Sequence, residues 1–172
     1  MLVNIGPLNE PSDIVDLLKE CHERIRTFIG LAVRLAKAEG IPDTEIRDAA
    51  ARVTRYFSEA LPLHVADEEE SILPRLRGKT AELDASLSEM REEHREHDPQ
   101  VESLLNLCRT LRETPGRLNE LRPKLLACAT RLEREFLSHL DKEENVILPA
   151  IRQLSSTEER DVMLRELRGR RG

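Results

Sequence analysis

One pattern, H-x-x-x-E-x-x-x-I-L-P, occurs twice in this chain and constrains its fold more than any other feature. The first copy runs from His64 through Glu68 to Pro74, the second from His139 through Glu143 to Pro149. A further histidine precedes each copy at a similar distance: His22 in Glu20-Cys21-His22 and His94 in Glu92-Glu93-His94. On an α-helix, residues four apart lie on one face, a turn from each other. An imidazole and a carboxylate so placed reach the same metal ion. One such pair arises by chance in a chain this rich in Glu. Two pairs in matching contexts, each preceded by a lone His, point to two metal-binding half-sites made by duplication.

The rest of the sequence fits a helical frame for these half-sites. The chain has 172 residues, enough for one domain with a real core. Charged residues make up 35% and aromatics 2%, with no Trp, and Leu, Ala, Glu and Arg dominate, which favours helices over sheet. A net charge of −6 argues against a nucleic-acid or anionic-membrane partner. The one basic cluster, Arg165, Arg168, Arg170 and Arg171, reads as a solvated helix end. Cys21, Cys108 and Cys128 are widely spaced and form no C-x-x-C pair, so reduced core thiols in a cytoplasmic protein are expected. No apolar run is long enough for a transmembrane helix, and no basic-then-apolar leader is expected at the N-terminus.

Four long amphipathic segments and a short fifth follow from periodicity and punctuation. Ser12 is a candidate N-cap for a helix over 13–39, with Val15, Leu18, His22, Ile25 and Ile29 on one stripe; Gly40 and Pro42 end it. Asp43 or Thr44 starts a second helix to about Leu76, kinked at Pro62. Thr80 starts a third, with Leu83, Leu87, Met90 and His94 inward; Pro99 is expected to break it soon after His97, and the pattern resumes over 101–112. After the Thr114-Pro115-Gly116 turn, a fourth helix runs from about Leu118 to Ala150, with Leu125, Leu132, Phe136, His139 and Glu143 inward. Ser156-Thr157-Glu158-Glu159 is a capping-box signature for a fifth helix to about Leu167. The expected fold is all-α: an antiparallel up-down-up-down four-helix bundle over about 12–152 and a C-terminal helix over about 156–168, within a single domain spanning 1–172. Duplication predicts a pseudo-two-fold axis, each half giving two His and one Glu to a metal pair.

Four of the five histidines fall at repeat-related positions on apolar stripes. A purely structural role would also require burying Glu68 and Glu143 without a Lys or Arg on their stripes, which is costly. Imidazole and carboxylate donors without thiolate favour iron, with manganese and zinc the alternatives. Six protein ligands do not fill two octahedra. Two bridging glutamates and an oxo or hydroxo bridge bring each metal to about five donors and leave room for O2, peroxide or nitric oxide.

The order H…HxxxE…H…HxxxE, with I-L-P after each Glu, resembles the hemerythrin-like family of HHE cation-binding domains over roughly 12–152. The resemblance implies a four-helix bundle around a non-haem di-iron centre, with His22 and His64 on one iron, His94 and His139 on the other, and Glu68 and Glu143 bridging. The spacing is also similar to the di-iron domain of bacterial iron–sulfur-centre repair proteins, whose extra Cys-containing N-terminal region has no counterpart in this sequence. Oxygen-carrying hemerythrins use a fifth His one turn beyond that of the third helix; here that position is Asp98, either a further ligand or, preferably from its place before Pro99, part of the expected helix break. His97 either substitutes for it or faces solvent. Glu144 is a second candidate bridge, though the repeat favours Glu143. Glu69, Glu70, Asp141 and Lys142 read as solvated faces, and Asp67 as outside the site because its repeat partner is Lys142. Tyr56 is either a hydrogen-bond donor to bound ligand or, preferably, a half-buried packing residue.

These residues imply a protein that binds a small diatomic ligand, O2 or nitric oxide, for sensing, storage or iron handling. The alternatives are a di-iron oxidoreductase acting on peroxide or nitric oxide, a role in iron–sulfur-centre repair, and a metal-free interaction bundle. A ferritin-like centre requires Glu-x-x-His and lone Glu ligands, and is disfavoured by the reversed order and the spacing of four found here.

Overall fold

A computed structural model describes residues 13–172, and among them every regular element is helical. Helix α1 is Ile14–Lys37. Its N-cap is Asp13, whose carboxylate accepts from the Val15 N–H; the expected cap, Ser12, lies outside the described residues. At its other end the Arg122 guanidinium donates to the orphan carbonyls of Ala36 and Ala38. Gly40, at φ 64°, supplies the left-handed turn that follows.

Helix α2 is a rod over 43–76 that twice widens into a π turn, at Tyr56–Ala60 and at Asp67–Ile72. Helix α3 is Ala81–Glu113, capped by the Thr80 hydroxyl. Helix α4 covers 118–154, with a π turn at Glu143–Ile147. Helix α5 is Thr157–Arg170, opened by a complete capping box between Ser156 and Glu159. Its last turn reaches beyond the expected end near Leu167.

Every π turn lies just before a proline: Pro62, Pro74 and Pro149. A proline ring clashes with the carbonyl four residues back in a regular α-helix. The wider turn relieves that clash by bonding to the fifth residue back, as Leu73 N–H does to Glu68 O and Leu148 N–H to Glu143 O. The kink expected at Pro62 is thus realised as a π turn. The repeated I-L-P therefore places Glu68 and Glu143 in matching π turns.

Pro99 does not break α3, contrary to the expectation from sequence, and Asp98 has no helix-breaking role. Pro99 and Arg95, whose carbonyl loses its partner, are both exposed, so water can satisfy the freed group. Val101, Leu104, Leu105, Cys108 and Leu111 beyond it remain buried, which holds the helix together across the defect.

The helices form an antiparallel bundle in which α1 packs along α4 and α2, and α3 along α2 and α4. Two apolar clusters fill it. One, around Ile29, Phe57, Leu104 and Leu132, occupies the end with the second half of α1. The other, around Leu18, Leu76, Leu87 and Ile151, occupies the opposite end and is closed by Met163, Leu164 and Leu167 of α5. The metal-liking side chains lie between them. No helix among the described residues is long and apolar enough to cross a membrane.

Core position decides the cost of truncation. Leu132 is fully buried and Leu137, on the same helix, is 42% exposed. Leu132→Ala should lower unfolding stability by about 2–5 kcal/mol in urea titrations, and Leu137→Ala by roughly 0.5 kcal/mol or less. Equal losses would contradict the packing described.

Candidate metal centre

Each helix of the bundle delivers one histidine to the layer between the clusters: His22 from α1, His64 from α2, His94 from α3 and His139 from α4. All four are buried, as are Glu68 and Glu143. The two glutamates join the halves. Glu68 lies 3.1 Å from His64 Nε2 on its own helix through one oxygen, and 3.1 Å from His94 Nε2 through the other. Glu143 lies 2.9 Å from His139 Nε2 through Oε1 and 3.1 Å from His22 Nε2 through Oε2. Two overlapping donor sets result, His22–His64–Glu68–Glu143 and Glu68–His94–His139–Glu143, each with its donor atoms within 4.8 Å of one another.

These short separations are not hydrogen bonds. Nε2 of His22, His64 and His94, Oε2 of Glu68 and both oxygens of Glu143 are buried without a hydrogen-bond partner. Such a concentration of unsatisfied atoms is costly unless something else meets them. Neighbouring donors at about 2.1 Å from one ion, at right angles, lie about 3.0 Å apart. The observed contacts have that length. Within each of the two sets the donor atoms lie close enough together to share one metal ion.

The opposite ring nitrogens are held from outside. Nδ1 of His22 meets Glu144 at 2.9 Å, Nδ1 of His94 meets Glu69 at 2.9 Å, and Nδ1 of His139 meets Glu93 at 2.6 Å. A carboxylate on Nδ1 fixes the tautomer that leaves Nε2 free as a donor. Arg26 grips Glu144, Arg91 lies by Glu69, and Lys142 donates to Glu93, so the carboxylates are themselves positioned. His64 differs: its Nδ1 has no hydrogen-bond partner, and the neighbouring side chain is Cys21, which helps to raise the His64 pKa. Cys21 precedes His22 as Glu93 precedes His94, so the duplication supplies a thiol where the other half has a carboxylate.

A family profile described as the hemerythrin HHE cation binding domain matches residues 13–151. The chain belongs to the hemerythrin HHE cation-binding family. Among curated proteins and solved structures no match is found. Family and donor sets together make this hemerythrin-family chain a metal-binding protein.

Several neighbouring residues depart from the sequence reading. Glu69 is no solvated face; it holds His94, and Glu144 holds His22 rather than joining the donor sets. Lys142 ties down Glu93 and Glu89. Repetition of Glu-Glu after each H-x-x-x was the signal that could have found Glu69 and Glu144. Glu70 and Asp141 are exposed as expected. Asp67 is fully buried and paired with Arg170 at 3.0 Å and Arg171 at 2.5 Å, so those tail arginines are not a solvated helix end. Tyr56 is a packing residue, more deeply buried than expected, stacked on Phe28 with its hydroxyl 3.5 Å from the Cys21 carbonyl. His97 is buried against Phe136 and His139 and belongs to neither donor set. Burial and the His139 charge press its pKa down to about 4, so its ring is neutral.

In the metal-free chain, burial opposes charge on His139. Its contact with Glu143, the charge of Glu68 and the bond to Glu93 outweigh burial and lift its pKa to about 9. Burial likewise opposes charge on His64 and His94, and there too Glu68 prevails and both are raised. Metal binding must displace these protons. A raised imidazole pKa stabilises the fold fully below about 6.5 and loses that contribution as pH rises through the folded value. The melting temperature of the metal-free chain should therefore fall as pH is raised toward 9, while metal affinity rises. Metal addition at pH 7 in weak buffer should acidify the solution. Affinity independent of pH would contradict this proton inventory. Glu69→Gln and Glu144→Gln should each weaken metal binding by about 10–100-fold in chelator competition, and unchanged affinity would show that these carboxylates do not support the donors.

Proposed function

We propose that the chain is a non-haem di-iron protein that binds a small diatomic ligand, O2 or nitric oxide, for sensing, storage or iron handling. His22 and His64 hold one iron and His94 and His139 the other, with Glu68 and Glu143 spanning both. The observation that carries this reading is that each glutamate faces one histidine of each donor set through separate oxygens. Nitrogen and carboxylate donors without thiolate suit iron better than a structural zinc site. When bound, the metal pair supplies electrons and open coordination positions for a small ligand.

The chain's own residues decide what reaches that pair. A cavity of about 30 Å³ borders His64, His94, His97 and His139, and Ile25, Leu61, Val101 and Phe136 wall it. That space holds about one water-sized molecule. Apolar walls exclude bulk water and larger substrates, and admit a diatomic. Beyond the three donor histidines, the polar residues on its wall are neutral His97, which can offer a bound ligand one hydrogen bond, and Asp98. The three free thiols, Cys21, Cys108 and Cys128, fit a reducing, cytoplasmic setting.

Nitric oxide mixed anaerobically with the ferrous protein should give a saturable optical change. Val101→Phe, which fills the cavity, should slow association at least about tenfold, equivalent to an added barrier of about 1.4 kcal/mol, while iron content stays the same. No response to nitric oxide or O2 in iron-loaded protein would contradict ligand binding. Unaltered kinetics in the variant would contradict this route.

A further inference from the structure

A second, much larger cavity, about 600 Å³, opens on the other side of His64, between α1, α2 and the end of α5. Its lining carries four arginines, Arg24, Arg52, Arg55 and Arg171, against one carboxylate, Glu59. This balance is the reverse of the chain's net charge of −6. Three of the four have a carboxylate beside them, but two of those contacts are exposed and weak. Arg24 has no carboxylate partner among the described residues, and Arg52 lies 3.9 Å from Asp48, with both side chains more than half exposed. Arg55 pairs with Glu59 at 3.3 Å in an exposed contact of little net strength. Arg171 is held by buried Asp67, and the same Nη2 that makes this pair lies 3.6 Å from Cys21 Sγ.

Between the arginines the wall is apolar. Phe28 and Tyr56 stack at 4.3 Å between ring centroids, and Ala60 and Leu63 continue the surface toward His64. An arginine rim around an apolar, ligand-sized cleft matches a molecule with an anionic head and an apolar body. Inorganic anions would leave the apolar wall uncovered, and neutral hydrocarbons would leave Arg24 without a counter-charge and Arg52 and Arg55 with only their weak exposed pairs.

We propose that this cleft binds a small organic anion, its carboxylate or phosphate on Arg24, Arg52 and Arg55 and its apolar body along Phe28, Tyr56 and Leu63. The occupant ends beside Cys21 and His64. It thereby contacts the one histidine of the four whose Nδ1 lacks a carboxylate support. This site is separate from the diatomic cavity and needs no metal for occupancy.

The protein carries its own reporter, since Tyr56 is the single Tyr and there is no Trp. Tyrosine emission of the full chain, titrated with decanoate, should change saturably, and the affinity should fall as salt is raised. Decanol and inorganic phosphate should each bind at least about tenfold more weakly than decanoate. Arg52→Ala with Arg55→Ala, two exposed positions whose loss leaves the core intact, should weaken decanoate about tenfold. Absence of a saturable response, equal binding of decanol or phosphate, or undiminished affinity in the double variant would each overturn the proposal. The result is independent of whether iron-loaded protein responds to nitric oxide.

Discussion

Two carboxylates buried in the middle of an apolar bundle are the constraint on which the structure turns. Glu68 and Glu143 are at most 3% exposed, and among the described residues no Lys or Arg pairs with either. Isolated, such charges cost several kcal/mol each. Four imidazoles converge on them, and their balance is completed by protons in the metal-free chain or by metal cations in the loaded one. The surrounding construction serves this layer. Apolar clusters seal it on both sides, outer carboxylates aim three of the rings, and two π turns set the glutamates at equivalent positions.

Much of this was legible because the duplication is written in side chains whose chemistry is distinctive. Burial of His22, His64, His94 and His139 follows from their places on apolar stripes, and the i, i+4 spacing puts each bundle-lining Glu beneath its His. Ser156, Thr80 and Gly40 mark helix boundaries through local rules, and those held. Pro99 misled because proline propensity is local while the outcome depends on which face the ring occupies. On the exposed face, a lost hydrogen bond goes to water and burial on either side keeps the helix whole. Glu69 and Lys142 look like solvated residues in sequence and Glu144 like a second bridge, since nothing local tells that a histidine or a carboxylate from another helix will arrive beside them.

The C-terminal helix shows the same limit. Arg170 and Arg171 are the last basic residues of a polar segment, yet they cross to Asp67, about a hundred positions away, at the start of the second π turn of α2. Their reach makes the two halves of the duplication unequal. On the His139 side, Glu93 and Lys142 surround the outer ring nitrogen. On the His64 side stand Cys21 and Arg171, beside a cleft rich in arginine. A centre that is nearly symmetric in its donors is thus asymmetric in its surroundings, with a small apolar cavity and a large cationic one meeting at His64.

The most direct test of the central claim is Mössbauer spectroscopy of the chain loaded anaerobically with enriched ferrous iron and then oxidised. The account predicts two irons per chain, spin-coupled through the shared glutamates into a diamagnetic pair at low temperature. A single magnetically isolated ferric ion per chain, or iron bound with equal stoichiometry after Glu68→Ala and Glu143→Ala together, would contradict it.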